Sequence, residues 1–160
     1  MIISYILMIF SFVCILLNGL QGFFHFNILK ADHISFAFFS TILYIFTQTL
    51  IMFYFIGAGK KIKETILEHD LNKSIYQEVI DLKKKLFGPL TLNMLLVCTA
   101  FILGGGVHTG VVHKLWHSSL FAISLLHYLK VIFIQHQSFV MNNKILLSVG
   151  NELYEKNKRS

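Results

Sequence analysis

Met1 to Leu29 contains no charged residue; neither does His33 to Gly59 nor Leu86 to His113, and Leu115 to Met141 contains only Lys130. A helix needs about 20 consecutive apolar residues to cross a bilayer. Four stretches meet that length, with expected spans of about Ile2–Phe24, His33–Gly57, Pro89–Val107 and Trp116–Gln137. The runs are continuous rather than alternating, which excludes barrel strands. An open sheet would leave backbone groups unpaired in hydrocarbon. The expectation is an all-α integral membrane protein, four transmembrane helices in a bundle, forming one domain over residues 1–160. Charged residues make up 14% of the chain, against about 25% in an ordinary soluble domain.

Basic residues set the expected orientation. Lys60, Lys61, Lys63, Lys73, Lys83, Lys84 and Lys85 lie between spans two and three, and Lys144, Lys156, Lys158 and Arg159 follow span four. The other two connections hold only Lys30 and Lys114. The positive-inside rule then places the middle loop and both termini in the cytoplasm of a bacterial inner membrane or its equivalent. The net charge of +6 reads as membrane-side anchoring, and no compact basic surface is left over for nucleic acid. The first span lacks a basic n-region and a clear cleavage site, so it reads as a retained helix rather than a signal peptide. Cys14 and Cys98 fall inside spans one and three without a CxxC pair, which reads as two small buried hydrophobes.

A pattern recurs. Lys30 to Tyr44 reads KADHISFAFFSTILY and Lys114 to Tyr128 reads KLWHSSLFAISLLHY, both K-x-x-H-x-S-x-x-x-x-S-x-x-x-Y. The offset of 84 also pairs Cys14 with Cys98, Gly22 with Gly106, Lys60 with Lys144 and Glu68 with Glu152. Chance identities in apolar text are the bland alternative. The sharper expectation is a parallel internal duplication of a two-helix hairpin, with halves at about 1–76 and 85–160.

Between spans two and three, Ile62, Ile66, Leu71, Ile75, Val79, Leu82 and Leu86 recur near helical spacing with charges between them, predicting an amphipathic hairpin over 60–86. A break is expected at Asp70–Asn72, followed by a capping box from Ser74 and Gln77. Pro89 suits a first helical turn. GAGKK at Gly57–Lys61 and GGG at Gly104–Gly106 read as helix ends. Ile145, Val149 and Leu153 continue one face beyond span four.

The chemistry-bearing feature is the depth of the histidines. His25, His33, His108, His113 and His117 all fall at the lysine-poor ends of the spans or in their connections. Imidazole binds zinc, copper and haem iron. With Asp32 the only nearby acid, a hard ion such as calcium is disfavoured. The expected ligands of haem b are His33 and His117, with His108 next. A copper-type or zinc site would draw on His33, His117, His113, His108 and His25, with His113 and His117 sharing a helix face. Lys30, Lys114, Ser35, Ser119 and His127 are the expected supporting residues, with His127 hydrogen-bonding Tyr44 or Ser40. The bland alternative is that an isolated interfacial histidine is structural. Tyr44, Tyr128, Thr47, Gln48, Asn93 and Thr99 read as interhelical hydrogen-bonding groups, and Lys130 as a snorkelling side chain.

No Walker-type phosphate loop, HExxH or Ser-His-Asp arrangement is present. Three functional readings follow. The first is electron transfer, or accessory service to a membrane redox complex, through haem b or a copper-type ion. The second is a non-catalytic structural or assembly subunit that packs against other membrane subunits or a second copy of itself. The third is a small transporter, disfavoured because no acid lies in any span.

Overall fold

The computed structural model describes residues 2–28 and 30–159 and is built from four helices among them: α1 (Ile2–Phe24), α2 (His33–Glu68), α3 (Ser74–His108) and α4 (Lys114–Arg159). All four are long and apolar enough to cross a membrane. Each packs on its neighbour in sequence, and α1 closes the bundle against α4.

The seam between the helices explains the arrangement. On α2 the buried positions include Phe36, Ser40, Tyr44, Thr47, Ile51, Phe55, Gly59, Ile62 and Ile66. On α3 they are Ile75, Val79, Leu82, Leu86, Leu90, Asn93, Val97 and Ala100. Steps of three and four residues keep one stripe facing its partners, the repeat that lets helices pack side by side over many turns. The stripe changes chemistry along its length. In the half nearer the histidines it holds Ser11, Asn18, Gln21, Ser40, Thr47, Gln48, Asn93 and Ser124, while Phe10, Phe38, Phe46, Phe53 and Phe133 point outward. Polar groups inside and large apolar groups outside is the distribution a hydrocarbon solvent selects.

Past the apolar run the seam continues without interruption. All seven residues of the expected amphipathic hairpin, Ile62 through Leu86, are buried, together with Ile145 and Val149 of α4. They do not form separate short helices. α2, α3 and α4 simply continue, and their ends pack as a three-helix stalk at the basic end of the molecule. By helix rise α4's 46 residues extend about 69 Å, roughly twice a 30 Å hydrocarbon core.

Several expected helix ends lie inside helices. Gly57 and Gly59 belong to α2, and Gly104–Gly106 to α3. Gly59 is needed where it stands: a Cβ there would meet the Lys83 side chain and sit 2.8 Å from Val79 Cγ1. Pro89 lies mid-helix rather than in a first turn. It removes the hydrogen bond to the Lys85 carbonyl. The break between α2 and α3 falls at His69–Lys73, but the capping box does not form. Asn72 Oδ1 accepts from Ser74 N at 2.9 Å, while Gln77 donates to Asp81 instead. An Asx turn supplies an acceptor one residue before the helix needs it, which leaves Gln77 free to bond along its own helix.

Candidate functional site

The histidine end is assembled from two hairpins. In the first, α1 closes with His25 in the left-handed region, φ 55, its N–H donating to the Gln21 carbonyl at 2.9 Å. Gln21 Nε2 donates to the Ala31 carbonyl at 2.9 Å and ties the connection down. Asp32 then caps α2, accepting from Ser35 N at 2.9 Å. The Ser35 hydroxyl and N–H hold the Asp32 carboxyl below its ordinary range. In the second hairpin, α3 ends at His108 with Thr109 as its cap, and His113 precedes α4. Its Nδ1 accepts from Leu115 N at 3.3 Å.

His33 and His117 play matching parts. The His117 Nδ1 is 2.9 Å from the Ala100 carbonyl, and its ring lies over Gly104, where a Cβ would come within 3.0 Å of Cε1. The His33 ring lies over Gly22, where a Cβ would come within 2.9 Å of Cε1, and its Nδ1 is buried without a partner. Each imidazole thus reaches across its own hairpin onto a glycine, and His117 bonds a backbone carbonyl there as well. The glycine is what permits so close an approach of ring to backbone. Substituting Gly104→Leu should displace the His117 ring and cost about 1–3 kcal/mol as overpacking, read as loss of thermal stability in detergent by circular dichroism.

The other expected ligands are spread differently. His25, His108 and His113 are exposed, as are Lys30, Lys114, Ser35 and Ser119. His113 and His117 do not share a helix face, because α4 begins between them. His33 is within electrostatic reach of His117 and His25, and Asp32 of His108. Among the described residues, no three His, Cys, Asp or Glu side chains stand together as one ion would require. Both cysteines are free.

His127 bonds neither Tyr44 nor Ser40; its Nδ1 is buried without a partner. The two tyrosines use other groups. Their rings meet edge to face at 4.8 Å between α2 and α4. Tyr44 Oη donates to Asn93 Oδ1 at 2.6 Å, and Asn93 Nδ2 donates to the Ser124 carbonyl at 2.9 Å. Tyr128 Oη shares a 2.8 Å hydrogen bond with Ser11 and accepts from Gln48 Nε2 at 3.1 Å, while Gln135 Nε2 donates to Gln48 Oε1. Thr47 and Thr99 instead bond carbonyls of their own helices. The network's chemistry is donor and acceptor matching between helices.

Asn18, Gln21 and Gln135 were not among the residues singled out from the sequence, although their signal was present. Ser11, Asn18 and Gln21 recur at one helical face in an otherwise apolar run, and polar groups so placed turn inward. Asn18 Oδ1, Gln21 Oε1 and His33 Nδ1 are buried without partners at this end. No protein-family model, curated protein or solved structure matches the chain.

Proposed function

We propose that this chain is a non-catalytic subunit of a membrane assembly, a bundle that holds a three-helix stalk against a partner. The observation that carries this reading is apolar surface outside the spans. Val140, Leu147 and Tyr154 recur every seven residues along the end of α4, exposed by 43%, 67% and 67%, and Leu67 on α2 is 63% exposed. Lipid covers the outward phenylalanines of the spans. It does not reach the far stalk, where a recurring apolar stripe suits a partner helix. With the basic end in the cytoplasm, that partner would be a cytoplasmic helix of another subunit. An internal duplication is part of the proposal. Ser40 and Ser124 each bond the carbonyl three residues back, and Tyr44 and Tyr128 meet face to edge.

The test is the double variant Leu147→Glu, Tyr154→Glu in the native membrane, followed by cross-linking and blue-native electrophoresis. The variant should lose its high-mass complex while keeping its helical content, and the double variant His33→Ala, His117→Ala should keep the complex. Only a monomer in the parent membrane would end the reading.

The second reading is a redox cofactor at the histidine end, and the unpartnered His33 Nδ1 is what favours it. A three-ligand copper or zinc ion does not suit the described donors, because no three His, Cys, Asp or Glu side chains stand together among them. Haem b between His33 and His117 is the form that remains. The absorption spectrum and metal content of the purified protein test it: a Soret band that His33→Ala abolishes supports it, and no band after reconstitution with haemin defeats it.

A further inference from the structure

At the basic end, α3 and α4 part to leave a cavity of about 430 Å³ lined by Leu82, Lys85, His136, Gln137, Met141 and Lys144, among others. From this cavity the geometry points to a binding site for the phosphate of an anionic membrane phospholipid. It lies where the apolar run of α4 gives way to polar residues, the depth at which lipid headgroups sit. Leu82 and Met141 give it an apolar side for the glycerol and first acyl carbons. Lys85 and Lys144 come from different helices, and among the described residues neither forms an ion pair. The nearest acid on α3, Asp81, is paired with Lys84 at 4.0 Å. No acid lies on α4 before Glu152.

His136 adds the directional element. Its Nδ1 lies 2.9 Å from Tyr5 Oη of α1. In the tautomer whose proton sits on Nε2, the phenol donates to Nδ1 and Nε2 is left as a donor. Two ammonium groups, an imidazole N–H and the Gln137 amide are the donor set a phosphodiester oxygen pair takes up. Lysines near a membrane surface each add about 1 kcal/mol of attraction to anionic lipid.

The full-length protein, freed of lipid by prolonged detergent washing, is titrated with phosphatidylglycerol, phosphatidylcholine or inorganic phosphate. Binding is followed by native mass spectrometry and by the thermal midpoint of helicity. Phosphatidylglycerol should bind and raise the midpoint. Lys85→Gln, Lys144→Gln should weaken that binding about 10- to 30-fold, and Met141→Trp, which fills the cavity, should weaken it with the charge intact. Lys61→Gln, Lys73→Gln, an equal charge change outside the cavity, should bind as the parent does. Equal binding of phosphatidylcholine, equal protection by inorganic phosphate, or undiminished binding by both cavity variants would overturn the assignment.

Discussion

Tyr128→Ala should destabilise the bundle by about 3–5 kcal/mol, the largest loss expected of any single truncation near the middle of the spans. The side chain is fully buried. Its ring meets Tyr44 at 4.8 Å and Phe12 at 5.6 Å, both in edge-to-face contact. Truncation opens a cavity between α1, α2 and α4 and removes the hydroxyl that Ser11 and Gln48 share. Tyr128→Phe separates the two contributions. It keeps the ring and should cost only about 0.6–1.7 kcal/mol, the range of hydrogen bonds measured between helices in lipid. Unfolding in mixed micelles of increasing dodecyl sulfate, followed by circular dichroism, reads both. A Tyr128→Phe loss as large as that of Tyr128→Ala would mean that the polar network, and not packing, holds this level together.

Val79→Asp should open the stalk and leave the spans standing. Val79 is 1% exposed and faces Gly59 across the seam. A carboxylate there is desolvated beside the Lys83 ammonium, and a buried ion pair is about 1–4 kcal/mol less stable than the apolar packing it replaces. The spans have their own contacts, so the expected result is local. Trypsin should cut rapidly at Lys60, Lys61, Lys63, Lys83, Lys84 and Lys85 in the variant, while the membrane-embedded fragments stay protected. In the parent those sites lie on packed helices and should be cut slowly. Global unfolding of the variant in the same detergent would show that stalk and spans form one cooperative unit.

The spans and the stalk seam were legible in the sequence because each is a repeating pattern with many members. Ile62 through Leu86 keep one face by spacing alone, and every one of them is buried. What escaped was continuity. Glycines and a proline at Gly57, Gly59, Pro89 and Gly104–Gly106 carry local signals for ending a helix. Packing overrode them: Gly59 admits Lys83, Gly104 admits His117, and Gly22, near the end of α1, admits His33. Those needs arise only when the second helix arrives, so no local window contains them. The same holds for the histidines. Their common level was readable from the spans, but the backbone that His33 and His117 meet depends on the angle and register of each hairpin.

Unbroken helices from the imidazoles to the stalk make the molecule a stiff lever. With α4 about 69 Å long, a swing of about 5° at one end carries the other by about 6 Å. α4 runs as one continuous helix from Lys114 to Arg159, with no turn between to absorb that displacement. A tilt imposed at the histidine end therefore reaches the stalk, and a pull on the stalk reaches His117 by the same rod.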